Sequence, residues 1–459
     1  MANYTPSNCP CPEITDHVLY NINNVFLHFI KLCIDLGRYN RFMKAWKLTR
    51  KIILLCIIVC FLASSIASPL STTAAARLYT SPYSFNYATW VLQAFAQKIG
   101  EAGLDVTSHL PGNVQHAVVI KYFKLARDLD IAEWSIEQIY ADPAVPDPEQ
   151  AAAEKIAERD ELQTMLTQMA PVVEEILEYQ VRTVLAEEGL DLGGQNLPPV
   201  LYHTSPVPKA LILSPHDTIR QDADISLQAD ISMEDITALE NEVEEEMSVS
   251  ALVVDIGGVG VYPTMVMRSS SLVWVVQTIA HEWTHNYLSL HPLGINYGSS
   301  GELRTMNETT AAIVGEEVSR LVLERYYPEM AASSTKVLAM TGSFQEKPFD
   351  FNAEMHQTRV TVDFLLSQGR VKAAESYMEA RRQTFWENGY LIRKLNQAYF
   401  AFYGAYADTP QGAAGGDPVG PAVRALREQS GSLSVFIKQI AWMNSYSDLQ
   451  EAVGSQAGN

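Results

Sequence analysis

The sequence predicts an α+β fold that is mostly helical, with a small mixed sheet and one buried helix between two helical regions. Apolar residues recur with helical spacing over about residues 83–188 and again over about residues 351–406. Short strand-like runs dominate between residues 200 and 267. The run that begins at Leu272 is apolar on nearly all sides, which is typical of a buried helix.

The first 67 residues predict a targeting segment rather than a part of the fold. Residues 52–67 are apolar, follow a basic stretch and end in Ser65-Ile66-Ala67, which has the small-x-small form of a cleavage site. We therefore expect a signal peptide or an uncleaved membrane anchor, with the body exported across or anchored in the cell membrane. Residues 1–51 are then a cytoplasmic tail, or a non-native extension if translation starts at Met43.

The composition and net charge indicate which kinds of domain, binding partner and metal site the chain can have. The chain has 459 residues, of which 47% are hydrophobic, so it can bury a large core in two or three domains. Its formal net charge of −20 disfavours nucleic acid and anionic membrane surfaces as partners. All five cysteines lie in the first 60 residues, so the remainder has no disulfide and no cysteine metal site.

Turn-rich segments predict the domain boundaries. Residues 83–199 are predicted to form an N-terminal helical domain, which glycine and proline pairs close between residues 193 and 199. Residues 200–330 hold the strands and the buried helix, and residues 331–459 return to helices as a C-terminal domain. Whether the N-terminal domain is a pro-region, a substrate collar or a spacer stays open.

The central region combines short strands with one helix near residues 233–247. The strand-like runs are residues 200–204, 210–214, 251–256 and 261–267. Pro263 is tolerated mainly at a sheet edge, so the segment before it is a candidate edge for holding an extended peptide. Its candidate substrate-binding residues are Gly257, Gly258 and Tyr262. An ordinary hairpin that turns at residues 257–260 is the alternative.

The motif most informative about function is His281-Glu282-Trp283-Thr284-His285. On a helix, a spacing of four places both imidazoles on one face, where they can bind one zinc ion. Glu282 lies beside His281, so its carboxylate can act as general base on a water molecule at an open coordination position. The sequence thus predicts one zinc ion per chain. Two core histidines that bond to the backbone are the alternative.

Two downstream residues are candidates for the third ligand. Glu308 begins a helical pattern in which positions 311, 312, 315 and 319 of the same face are all small, which predicts close packing on the motif helix. His291 has the spacing of a third histidine, but Leu288 stands where such a turn needs glycine. Glu308 is therefore the predicted ligand and His291 the alternative.

The motif together with Asn307-Glu308-x-x-Ala311 resembles the gluzincin group of zinc metallopeptidases, over about thirty residues. The resemblance implies a zincin-like catalytic domain in residues 200–330 and a peptide or protein substrate. It also implies roles for four residues: zinc is bound by His281, His285 and Glu308, and Glu282 is the general base.

The sequence departs from this group in two places. Ala312 stands where thermolysin-like enzymes have an aspartate that orients a zinc histidine, so another residue must do this. The segment 257–263 has no glutamate, whereas aminopeptidases with a Gly-x-Met-Glu-Asn motif use one to hold the free amine of the substrate. A ligand role for His291 would instead resemble the metzincin signature.

Gluzincins often place a tyrosine or histidine of a C-terminal helical domain over the zinc, where it stabilises the oxyanion. The candidates of this kind are Tyr403, Tyr406 and His356. The sequence thus predicts an exported zinc metallopeptidase. The alternative is a non-catalytic exported or membrane-anchored helical envelope protein that has a structural zinc or no metal.

Overall fold

The computed structural model describes residues 71–101, 106–141, 145–191, 193, 195–330, 349–404 and 418–456. These residues belong to one compact unit, Leu70–Asn459. Residues 1–51, the predicted targeting segment 52–67 and the candidate Tyr406 lie outside the described residues. The described residues are mostly helical and include two small sheets, which confirms the predicted mostly helical α+β class.

Helices occupy most of the described residues before the first strand. They are α1 (Ser71–Thr80), α2 (Tyr87–Glu101), α3 (Val106–His109), α4 (Gly112–Ala141) and α5 (Pro148–Glu187). Asp147 precedes the long α5, and its side chain accepts a hydrogen bond from Gln150 N and so caps the helix. It packs along α4, and apolar side chains of both helices join the main core.

Within the described ranges, the strands form two separate sheets of three strands each. In chain order the elements are β1 (Tyr202–Thr204), β2 (Lys209–Pro215), β3 (Ala223–Leu227), helix α6 (Met233–Met247), β4 (Val249–Asp255), β5 (Gly258–Val259) and β6 (Thr264–Val266). β2 pairs antiparallel with β3 and β4, whereas β6 pairs parallel with β1 and antiparallel with β5. The alternative hairpin, which turns at residues 257–260, is wrong because β4 and β6 lie in different sheets; β6 pairs instead with the short β5.

Three of the four outer sheet edges are covered by other parts of the chain. Carboxylates of α5 cover β1, the segment before α2 covers β3, and carboxylates of α6 cover β4. Among the described residues, no hydrogen bond covers the outer edge of β5, which therefore remains available. The covering bonds run from Tyr202 N to Glu178, from Thr204 N to Glu174, from Phe85 N to Ser226 O, from Ala251 N to Glu244 and from Val253 N to Glu240.

A buried ion cluster holds α2 against α5. Lys98 Nζ lies 2.5 Å from Glu174 Oε2 and 2.9 Å from Glu178 Oε1. Burial opposes ionisation of both carboxyl groups, but His203 and Lys98 hold the pKa of Glu174 below its ordinary value. For Glu178, burial outweighs the neighbouring Lys98 and raises the pKa to about 7.

Two packed helices carry the motif and the predicted third ligand. They are α7 (Leu272–Leu288) and α9 (Gly301–Tyr326), with the short α8 (Pro292–Ile295) between them in the chain. Ser319 Oγ of α9 donates to Val273 O of α7 over 3.2 Å. A Cβ added at Gly315 would lie 2.8 Å from Gln277 O of α7. The predicted close packing of the small-residue face on the motif helix is therefore confirmed.

The C-terminal part is a series of short helices. They are α10 (Phe351–Ser367), α11 (Val371–Glu387), α12 (Gln397–Tyr403), α13 (Val419–Gln429), α14 (Leu433–Ile440) and α15 (Tyr446–Gln456). The long pattern expected over residues 351–406 is thus divided into three helices. Gly369 and Gly389 lie after α10 and α11 with φ angles of 69° and 86°, which end a right-handed helix.

No helix of the described residues is both long enough and apolar enough to cross a membrane. This finding corrects the expected transmembrane helix and the expected exported or membrane-anchored location. Residues 52–67, on which that expectation depended, lie outside the described part of the chain.

Candidate metal centre

The helical spacing of the motif brings His281 and His285 together as predicted. Their Nε2 atoms lie 3.0 Å apart on the face of α7 that packs towards α9. The side chains are partly exposed, at 17% and 18%, so the ring nitrogens border solvent-accessible space. This arrangement gives two imidazole nitrogens that could bind one metal ion from the same side.

Glu308 completes a group of three potential ligands. Its Oε2 atom lies 3.6 Å from His281 Nε2 and 3.5 Å from His285 Nε2. Because α9 begins at Gly301, Glu308 lies in the second turn rather than at the helix start that the sequence indicated. One ligand atom from each of the three residues lies within 4.8 Å of the other two.

The surroundings of Glu308 Oε2 indicate that the three side chains fit a cation. This oxygen is buried and has no hydrogen-bond partner among the described residues. A buried carboxylate oxygen without a donor is costly, and a bound cation would remove that cost. Two imidazole nitrogens and one carboxylate oxygen are also a donor set of catalytic zinc sites. The residues present therefore fit a metal ion.

Three further residues hold the ligands in place. Asn307 Oδ1 lies 2.7 Å from His285 Nδ1 and accepts a hydrogen bond from it, which leaves Nε2 facing Glu308. The Tyr297 hydroxyl donates to Glu308 Oε1. Arg304 Nε in turn lies 3.3 Å from the Tyr297 oxygen. Asn307 thus orients a histidine, which is the role that Ala312 cannot fill.

Charge and burial together set the protonation states of His285 and Glu308. Burial lowers the pKa of His285, but the Glu308 carboxylate outweighs it and raises the pKa to about 9. Burial likewise works against ionisation of Glu308, yet His285 and His281 hold its pKa well below the ordinary value. The carboxylate is therefore ionised, as a metal ligand must be.

Glu282 lies beside the ligands without being one of them. Its side chain is buried, and burial raises its pKa, although His281 and His285 act in the opposite direction. A carboxylate with a raised pKa accepts a proton more readily than an ordinary glutamate. The position and the pKa of Glu282 are those that a general base needs.

The glycine-rich segment that contains β5 packs directly on α7, beside Glu282 and His285. A Cβ added at Gly258 would lie 2.8 Å from Glu282 Oε1, and one at Gly260 would lie 3.0 Å from His285 Cβ. At Gly257 an added Cβ would lie 2.6 Å from the ring of Trp274. The segment therefore packs closely on α7, with Gly258 beside the Glu282 carboxylate and Gly260 beside His285.

Other predicted site residues lie elsewhere. The Tyr262 ring packs against Phe95 of α2, with ring centroids 5.9 Å apart. His291 donates through Nδ1 to Tyr287 O, and it is not in the group of potential ligands. Tyr403 packs against other aromatic rings, and His356 Nδ1 is buried without a described partner. Neither of these two residues has a described contact with the three ligands.

Sequence reasoning missed three residues that surround the ligands. Asn307 stands next to Glu308 in the motif, so its position was a usable signal. Tyr297 lies in the loop before α9, and Arg304 lies one turn before Glu308. No periodicity or short motif marks either of these two positions.

Comparison of the chain with known protein families, with curated proteins and with solved structures found no match in any of the three.

Proposed function

We propose that the protein is a zinc-dependent metallopeptidase of the gluzincin type, in which His281, His285 and Glu308 hold the metal. The observation that carries this proposal is the convergence of the three ligand atoms, one of which is buried without a hydrogen-bond partner. Three protein ligands leave a coordination position for water, which is typical of catalytic rather than structural zinc.

The chemistry follows from the residues around this position. A zinc ion held there would polarise the scissile carbonyl and lower the pKa of a water molecule. Glu282 takes the proton of the attacking water and passes it to the leaving amine. Asn307 and Tyr297 keep His285 and Glu308 in the orientation that this reaction requires.

The substrate is proposed to be a peptide or protein in extended form. The outer edge of β5 is the sheet edge that no described residue covers, and Gly258 packs on Glu282. An extended peptide that pairs with this edge would lie beside the general base. Glycines at residues 257, 258 and 260 allow the strand to approach α7 closely enough for this arrangement.

The metal content of the purified full chain tests the first part of the proposal. The wild type should bind one zinc ion per chain, and Glu308→Ala should bind none or bind far more weakly. Glu302→Ala is the matched control, because Glu302 lies exposed in the first turn of the same helix. A wild type without zinc under metal-replete conditions, or full retention by Glu308→Ala, would disprove this site.

Hydrolysis of a library of short peptides tests the second part. Glu282→Gln keeps the size of the side chain and should retain zinc while it loses at least about a hundredfold in turnover. Equal turnover by Glu282→Gln and the wild type would rule out Glu282 as the base.

A further inference from the structure

Arg304 is a buried cation on the same helix as the ligand Glu308. It lies four residues before Glu308 on α9, so the two side chains share one face of the helix. Only 7% of Arg304 is exposed. A guanidinium group is always charged, and its burial is costly unless its N–H groups have acceptors. The contacts of Arg304 therefore indicate what this buried charge does.

Two nitrogens of Arg304 contact two different parts of the chain. Nε lies 3.3 Å from the hydroxyl oxygen of Tyr297, which belongs to the loop before α9. Nη1 donates to Ala401 O of α12 over 2.9 Å, across 97 positions of the sequence. One side chain thus connects the surroundings of Glu308 with the C-terminal helices.

The contact with Arg304 favours one direction of the Tyr297 hydroxyl. Arginine has no acceptor, so its Nε–H is the donor to the phenol oxygen. The single hydroxyl proton is then directed away from Arg304, and it bonds Glu308 Oε1. In a chain of hydrogen bonds each bond polarises the next, so the guanidinium also strengthens the bond to Glu308. Oε2 of Glu308 remains on the side of the two histidines.

Helix α12 supplies Arg304 with an acceptor in a fixed position. Asn396 caps the start of α12, and its Nδ2 donates to Ala251 O of β4 over 3.0 Å. Phe402 packs with apolar side chains of β2 and β4. Ala401 lies in the last turn of α12, where carbonyl groups need donors from outside the helix. Arg304 is therefore held against a helix that is itself fixed on a sheet.

We propose that Arg304 is a positioning residue for the metal ligand Glu308, which acts through Tyr297 and is held in place by α12. The proposal rests on the metal site of the proposed function and does not depend on peptide hydrolysis. Among the described residues, the C-terminal helices supply none of the three potential ligands. On this proposal they nevertheless contribute to zinc affinity, through the carbonyl that holds Arg304.

The zinc affinity of the full chain, measured by competition with a chelator of known affinity, tests this proposal. Arg304→Met keeps a long unbranched side chain but removes the charge and the donors. Loss of a positive charge by itself strengthens the binding of a cation. Loss of a bond that orients a ligand has the opposite effect, so we expect affinity to fall by about tenfold or more. Equal or tighter zinc binding by Arg304→Met overturns the proposal.

Arg359→Met is the matched control. Arg359 of α10 donates to Phe400 O, the carbonyl next to Ala401 O on α12, over 3.4 Å, and its substitution removes the same charge. This variant should not weaken zinc binding. Urea unfolding of the metal-free proteins measures how much each substitution destabilises the fold. If both variants weaken zinc binding equally, support of α12 explains the effect and a role through Tyr297 is refuted.

A double variant decides whether Arg304 acts through Tyr297. When Tyr297→Phe has already removed the hydroxyl, Arg304→Met should not weaken zinc binding further, whereas two losses that add in full would contradict the proposal. If Arg304→Met does not fold, Arg304→Lys replaces it. Lysine keeps the charge but has no fork to serve two acceptors, so its affinity should also fall, and wild-type affinity would refute the role of Arg304.

The outcomes separate this proposal from the proposed function. A wild type that binds no zinc disproves the metal site and the role of Arg304 together. A wild type that binds zinc but cleaves no peptide disproves only the peptidase function, and the affinities of the variants then decide the role of Arg304 by themselves.

Discussion

The Tyr297 hydroxyl donates a hydrogen bond to Glu308 Oε1. The other carboxylate oxygen, Oε2, lies 3.6 Å from His281 Nε2 and 3.5 Å from His285 Nε2. The two oxygens of one side chain thus have separate tasks. One is fixed by a protein donor, while the other has no described hydrogen-bond partner. The relationship explains how a buried glutamate can be held in one orientation and still offer a ligand atom.

Tyr297→Phe should therefore weaken zinc binding. Loss of a hydrogen bond that orients a ligand typically costs about tenfold to a hundredfold in metal affinity. Competition with a chelator of known affinity measures the change. Tyr287→Phe is the control, because Tyr287 lies on α7 and its ring packs on His291 rather than on a ligand. Equal zinc affinity of Tyr297→Phe and the wild type would contradict the role of this hydroxyl.

Asn307 is expected to be as important for His285. Asn307→Ala removes the acceptor of the Nδ1 proton, so the imidazole can rotate or change tautomer, and zinc affinity should fall by about tenfold or more. Asn307→Asp retains an acceptor oxygen and should restore most of the binding. If the two variants bind zinc equally well, the orienting role is refuted.

Gly258→Ala should reduce hydrolysis more than it reduces metal binding. The added methyl group would lie 2.8 Å from Glu282 Oε1 and 2.9 Å from Thr278 Cγ2, so the general base or the β5 edge must move. Such overpacking costs about 1–3 kcal/mol of stability. Gly298→Ala, where the added group meets open space, is the matched control. We expect at least a tenfold loss of turnover at Gly258 with zinc retained, and unchanged turnover would argue against β5 as the substrate edge.

The stability of the protein should depend on pH through the titration of the buried Glu178. Its folded pKa of about 7 is above the ordinary 4.5, so the folded protein binds the proton more tightly than the unfolded chain. The stability from this group is present below about pH 4.5 and is lost as pH rises through 7. Glu178→Gln lacks this loss, and its oxygen can still accept from Tyr202 N.

The measurement for Glu178 is urea unfolding of both proteins at pH 5 and pH 8. Relative to the wild type, Glu178→Gln should gain up to about 3 kcal/mol between these two values. Glu161→Gln, an exposed position on the same helix, should show no such gain. A constant difference between Glu178→Gln and the wild type at both pH values would show that Glu178 does not titrate in this range.

Local patterns in the sequence were sufficient to predict features that are formed by residues close together in the chain. The spacing of His281 and His285 required only one helical turn, and the small residues of α9 predicted its packing on α7. The position of helix α6 was likewise predicted correctly. In each case the interaction lies within one helix or depends on the shape of one face.

Local patterns failed where a single residue or a distant partner decides the structure. Gly369 and Gly389 each end a helix by adopting a positive φ, although the apolar period continues past them. The two sheets could not be separated, because β4 and β6 follow one another in the chain but pair with different strands. Strand pairing joins residues far apart in sequence, and no periodicity encodes the choice of partner.

The sequence alone indicated that His281 and His285 lie one turn apart on a buried helix, and that a downstream glutamate, Glu308, has the chemistry of a third metal ligand. Only the tertiary structure decided that Glu308 reaches them and that Asn307 and Tyr297 contact His285 and Glu308. The physical reason is that helical periodicity is a short-range property of the backbone. The contacts that hold and surround a metal join separate elements, so they exist only after those elements pack.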